Sequence, residues 1–157
     1  MSYRYDAAGR VARKDLGNGV YSTYQYDHAG QVIHLINYAA GGTILARYDY
    51  SYDTRGRRIS MATSQGVWKY HYDDRGQLTR AMFDSSSPSV ADQDLTFTYD
   101  LVGNRVRTVE NAQTMVYTTN AMNQYTRIGD TTYEFDADGN LAKEISPQGT
   151  VTYTFND

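Results

Sequence analysis

Acidic residues recur at matched places along this chain. A repeated acid serves either a row of cation sites or a row of capped turns. The positions are Asp6, Asp27, Asp53, Asp73, Asp100 and Asp136, with Asn120 and Asn156 in the same role. Three residues after each of the six acids stands a glycine: Gly9, Gly30, Gly56, Gly76, Gly103 and Gly139. Asn123 holds that place after Asn120. Calcium-binding β-rolls need the denser GGxGxD spacing, which is missing here. "DADGN" at 136–140 opens like an EF-hand loop, but the twelfth position, where a bidentate Glu belongs, is Pro147. Turn capping is the chemistry that fits. Asp at the first position of a type I turn accepts backbone N–H groups, and Gly at the fourth takes φ > 0 and closes a hairpin. Asn caps turns and tolerates the left-handed region, so Asn120 and Asn123 are a workable substitute.

Other reactive types do not converge. His28, His34 and His71 form no metal-binding pair and read as solvated surface histidines. Ser85–Ser87 and Ser89 have no positioned base. Asp73 and Asp74 are adjacent in one turn rather than set across a cleft. There is no cysteine, hence no disulfide, thiolate metal site or Cys nucleophile. The expectation is a chain with no catalytic residues, no metal and no cofactor. Aromatic residues are the remaining chemistry: 16 Tyr against seven Leu. Trp68, Tyr70 and Tyr72 alternate along one segment and could stack on a sugar. The competing role is packing of one sheet face, with the hydroxyls bonded to neighbours, and that role is preferred.

At 157 residues and a net charge of −3, with 21% charged residues, the chain suits one domain or a piece of a longer one. Lys and Arg are dispersed, so no nucleic-acid surface is expected. Apolar runs are too short for a membrane span, and "MSYRYDAAGR" has no signal-peptide core.

The elements that position these residues are repeats. The units read "YRYDAAGRV", "YQYDHAGQV", "YSYDTRGRR", "YHYDDRGQL", "FTYDLVGNR", "YTTNAMNQY" and "YEFDADGNL", and "YTFND" begins an eighth. Their acids lie 21, 26, 20, 27, 20, 16 and 20 residues apart. Period-two alternation marks a strand before each turn: Ala46, Tyr48, Tyr50 and Tyr52; Trp68, Tyr70 and Tyr72; Leu95, Phe97 and Tyr99; Val151, Tyr153 and Phe155. A second strand follows each turn. Its apolar residue falls two places after the Gly at Val11, Val32, Leu78 and Leu141, but three after at Ile59 and Val106, which implies two bulge geometries. Return turns lie at Leu16–Gly19, Ala39–Gly42, Ser64–Gly66 and Ser146–Gly149, and Asp84–Asp94 reads as a loose, mobile loop. The fold expected is all-β: a curled antiparallel meander of repeated hairpins with no significant helix, its Tyr face concave.

The motif Y-x-Y-D-x-x-G-[RNQ] resembles the YD repeats of the RHS family, found also in the C-component shells of bacterial insecticidal toxin complexes and in teneurins. The resemblance covers residues 1–157 as one array, about seven full repeats and a truncated one, bacterial in style. It implies a segment of a longer exported protein, secreted or at the cell surface, whose β-shell encloses a polypeptide toxin. The implied partners are the remaining repeats and that cargo; a glycan or receptor bound by the aromatic face is the alternative. The family's D-P-x-G-L cleavage segment has no counterpart, because Pro88 and Pro147 lie in other contexts. As an isolated polypeptide with two open strand edges, the chain is expected to self-associate.

Overall fold

The computed structural model describes residues 1–155 and is all-β. The eighth motif's Asn156 lies outside the described residues. Two compact units are present, Met1–Gln93 and the residues from Asp94 onward.

The first unit is an antiparallel meander of eight strands. They are β1 (Ser2–Tyr5), β2 (Val11–Asp15), β3 (Tyr21–Tyr26), β4 (Val32–Tyr38), β5 (Ile44–Tyr52), β6 (Arg58–Thr63), β7 (Gly66–Tyr72) and β8 (Leu78–Ser85). Each pairs with its chain neighbours. The second unit repeats the plan with β9 (Gln93–Tyr99), β10 (Arg105–Glu110), β11 (Gln113–Thr119), β12 (Tyr125–Ile128), β13 (Thr131–Phe135), β14 (Leu141–Ser146) and β15 (Gly149–Thr152).

Only Gly66, Ala81, Phe83 and Thr108 are buried among the described residues. Most strand residues are half-buried, as expected of a sheet whose side chains cover each other without an opposing layer. In β7, Trp68, Tyr70 and Tyr72 are half-buried while Lys69 and His71 are exposed. Trp68 packs on Phe83, which lies opposite it on β8, with ring centres 5.1 Å apart.

The register corrects the expectation of two bulge geometries. In all seven repeats the last strand residue before the turn faces the second residue after the turn's fourth position. The pairs are Tyr5↔Val11, Tyr26↔Val32, Tyr52↔Arg58, Tyr72↔Leu78, Tyr99↔Arg105, Thr119↔Tyr125 and Phe135↔Leu141. One residue is always extra, and Ile59 and Val106 are such bulge residues. Arg58 and Arg105 therefore stand where other repeats carry Val or Leu. They are tolerated there because each guanidinium lies over a ring: Arg58 is 4.3 Å from the Tyr50 centre and Arg105 is 4.8 Å from that of Phe97.

Two further expectations change. The supposed loose loop is only 86–92, because β8 runs to Ser85 and β9 starts at Gln93. It is also pinned. Ser86 N donates to the Gln65 carbonyl at 2.8 Å, and Ser85 N donates to Asp92 Oδ1 at 2.7 Å. The final strand ends at Thr152, and Val151, Tyr153 and Phe155 are exposed rather than half-buried. Nothing among the described residues covers that edge.

Candidate functional site: the ladder of aspartate turns

Each D-x-x-G segment closes with the same two backbone bonds. In the first, Gly9 N donates to Asp6 O at 3.0 Å and Asp6 N donates to Arg10 O at 2.8 Å. The pairs Asp27/Gly30, Asp53/Gly56, Asp73/Gly76, Asp100/Gly103, Asn120/Asn123 and Asp136/Gly139 repeat this. The six glycines have φ between 76° and 97°, and Asn123 follows at 59°. This is the left-handed region, so the fourth position selects Gly or Asn.

The carboxylate completes the turn. Asp53 Oδ1 accepts from the backbone N–H groups of Arg55 and Arg57, both at 2.9 Å. Asp6, Asp100 and Asp136 do likewise, and Asn120 Oδ1 accepts from Met122 N at 2.9 Å and Gln124 N at 3.1 Å. These bonds favour the charged form. The Arg10 backbone N–H holds the Asp6 carboxyl below its ordinary value, and the Arg57 backbone N–H does the same for Asp53. The Asn140 backbone N–H lowers Asp136. For Asp100, desolvation pushes upward, but bonds from Asn104, Val102 and Gly103 outweigh it.

The residue after the Gly joins one turn to the next. Arg57 Nε donates to Asp53 Oδ2 at 2.7 Å, and its Nη1 donates to the Asp73 carbonyl at 3.0 Å. Arg10 binds Asp6 at 2.8 Å and the Asp27 carbonyl at 3.2 Å. Gln124 receives a bond from Asn120 at 2.8 Å and donates to the Gly139 carbonyl at 2.8 Å. Asn104 bonds Asp100 at 3.0 Å and the Asn123 side chain at 3.1 Å.

The motif tyrosine links backward. Tyr26, Tyr52 and Tyr72 donate their hydroxyls to the carbonyls of Val11, Val32 and Arg58 at 2.7–2.8 Å. Tyr125, in the variant repeat, instead accepts from Arg105 N at 2.9 Å. Arg10 and Arg57 lie over the rings of Tyr26 and Tyr72, at 4.5 Å and 4.8 Å.

The remaining candidates stand apart from this ladder. Trp68 and Tyr70 have parallel rings with centres 6.2 Å apart, on the same face as Tyr72. His28 and His71 are exposed. His34 corrects the expectation of a solvated histidine: its Nδ1 lies 2.5 Å from Asp49 Oδ1, and Arg47 holds the same carboxylate at 2.8 Å. Among the described residues no group of three or more His, Asp or Glu could hold a metal ion.

Sequence reasoning missed two turns. Asn111 and Ala112, at φ 47° and 72°, make the β10–β11 turn, and Gly129 at φ 57° opens the β12–β13 turn. "ENAQ" has no Gly to signal the first; Asn111 was the only cue.

The Teneurin YD-shell family model matches residues 61–157, and an RHS Repeat model matches residues 5–43. Among curated proteins, the tRNA3(Ser)-specific nuclease WapA of Bacillus spizizenii is 32% identical over 160 residues. The tRNA nuclease WapA of Bacillus subtilis is 31% identical over the same length. The match takes in 99% of this chain but only 6% of each nuclease. A chain of the Photorhabdus luminescens Tc holotoxin pore structure superposes with a TM-score of 0.69 at 20% identity, over 92% of this chain and 10% of that one. The TcdB2-TccC3 crystal structure gives 0.70 at 19% identity over the same shares. Seven copies of one turn and one bulge, with inter-turn links at Arg10, Arg57, Asn104 and Gln124, agree with that likeness of fold, and the chain belongs to the Teneurin YD-shell family.

Proposed function

We propose that this chain is a wall segment of a longer exported protein, in which such repeats enclose a polypeptide cargo. The observation that carries this reading is the ladder. Arg10, Arg57 and Gln124 each bond their own turn and a carbonyl of the next, so a repeat is completed by its neighbour. Such an array grows by nearest-neighbour contacts into an extended surface. The family match and the fold shared with Tc toxin chains support the shell reading.

The segment itself has no catalytic role in this proposal. Its repeated acids are committed to backbone N–H groups, and its histidines do not converge. The word nuclease in the names of the WapA relatives describes proteins of which this chain spans 6%.

The test is protease protection in the parent protein that contains these repeats. The enclosed polypeptide should resist digestion while the repeats are intact and become sensitive when Asp53→Ala and Asp136→Ala loosen the turns. Digestion at the rate of the free polypeptide in the unmodified parent would refute enclosure. The rival function, sugar recognition by Trp68, Tyr70 and Tyr72, predicts saturable binding on a glycan array that Trp68→Ala abolishes.

A further inference from the structure

Most arginines of this chain have an anionic or carbonyl partner. Arg4, Arg10, Arg13, Arg47, Arg57 and Arg127 each face an aspartate, and Arg55 donates to the Asp74 carbonyl. Arg58 differs. It is exposed, and its guanidinium lies over the Tyr50 ring with no hydrogen-bond or ion-pair partner among the described residues. Beside it opens a cavity of about 430 Å³, lined by Tyr52, Gly56, Arg58, Tyr70, Tyr72 and Leu78. The Tyr52 and Tyr72 hydroxyls are spent on the carbonyls of Val32 and Arg58. The Tyr70 hydroxyl has no hydrogen-bond partner among the described residues and remains available as a donor. Burial pushes the Tyr70 phenol up, so it stays protonated, and the same desolvation strengthens any charge contact made there. The cavity thus offers one unneutralised guanidinium, one O–H donor and aromatic walls, with no carboxylate of its own.

We infer that Arg58 and Tyr70 form a carboxylate-binding site whose occupant is an Asp or Glu side chain of the enclosed polypeptide. A carboxylate can accept from the guanidinium fork and from the phenol together, while its methylene stem packs on the tyrosines. Part of the arrangement recurs in the second unit, where the Tyr117 hydroxyl is already bonded to Thr108. Arg105 stands at the same position of its repeat, over Phe97 and Tyr117, and its buried Nε has no acceptor. The tyrosine walls beside Arg58 suit an acidic side chain, whose methylene stem they can cover, better than a single small anion. The inference rests on the enclosure reading for the identity of the ligand, but its test uses this chain alone.

The experiment is a titration of the 157-residue chain with an unstructured peptide containing several Glu, followed by Trp68 fluorescence and calorimetry. The control peptide replaces each Glu by Gln, and free acetate is a second control. The Glu peptide should bind about tenfold more tightly than the Gln peptide, as expected for charge-assisted hydrogen bonds. Arg58→Met with Arg105→Met, which keeps the apolar stems, should abolish that preference while leaving the thermal melt unchanged. Tyr70→Phe should weaken it several-fold. Equal binding of the two peptides, or a preference that survives the double Met variant, overturns the site. Acetate displacing the peptide at low concentration would overturn the polypeptide occupant. Failure of protease protection in the parent would instead remove enclosure and leave the carboxylate preference standing.

Discussion

The guanidinium of Arg57 donates to the backbone carbonyl of Asp73, a residue 16 positions later at the corner of the next turn, at 3.0 Å. The same side chain grips Asp53 in its own turn at 2.7 Å. Two turns far apart in sequence are thereby tied by one residue, and loss of the anchoring carboxylate should loosen both.

Asp53→Ala should therefore lower the melting temperature more than Asp53→Asn. Asn120 already shows that an amide can cap this turn, accepting two backbone N–H groups as the carboxylates do. Thermal unfolding followed by circular dichroism checks the order. Equal losses would mean that the cap contributes nothing beyond its charge.

Glycine positions should outrank surface charges. Gly76 has φ 87°, and Gly76→Val should cost about 1–3 kcal/mol in backbone strain. Gly66→Ala should be at least as harmful, since a β-carbon there would strike the Asp84 carbonyl and come within 2.8 Å of the Phe83 ring. Lys69→Ala removes an exposed ion pair with Asp84 and should cost about 1 kcal/mol or less. Chemical denaturation of the three variants measures the ranking.

Ala112 occupies a left-handed turn at φ 72° without the freedom of glycine. Ala112→Gly should stabilise the chain by about 1 kcal/mol, the usual cost of that conformation for an L-residue. An unchanged or lower denaturation midpoint would show that the turn is not strained.

Acid should act through the ladder. Asp6, Asp53 and Asp136 have folded values below their ordinary 3.8, so their contribution to stability is fully present above about pH 4. It is lost as pH falls through the depressed folded values. Melting temperatures should drop below about pH 4, and the drop should be shallower in Asp53→Asn combined with Asp136→Asn, which do not titrate. Equal slopes in the two proteins would place the acid sensitivity elsewhere.

The isolated 157-residue polypeptide should self-associate. Strands β1 and β15 are exposed along their whole length, each bonded to one neighbour among the described residues. Light scattering should report a mass above monomer that falls when Thr150 and Thr152 are both replaced by Lys. A monomeric mass over a wide concentration range contradicts the expectation.

The sequence revealed what repeats and hid what depends on register. Asp and Gly three apart state their turn chemistry locally, so the seven turns were legible. The forward reach of Arg57 and Gln124 was not, because it depends on which backbone lies beside them after folding. Arg58 and Arg105 were misread for the same reason. A charged residue at a Val position looks like a shifted pattern until cation–π stacking is seen to hold it in place. The pinned loop at 86–92 was hidden too, since its Ser-rich composition suits disorder and its anchor, the Gln65 carbonyl, lies about twenty residues earlier.

The forward bonds of Arg10, Arg57 and Gln124, and the backward bonds of Tyr26, Tyr52 and Tyr72, all end on main-chain carbonyls. Every amino acid supplies that acceptor, so the hydrogen bonds of these joints ask only for the motif tyrosine that Arg10 and Arg57 also cover. A repeat can then be duplicated, deleted or exchanged without rewriting its neighbours. Asn104 is the exception, since it reaches the Asn123 side chain, and the pair marks the place where one repeat is matched to one successor. Lineages built from such units can change in length by whole repeats while their substitutions concentrate in the residues between the joints.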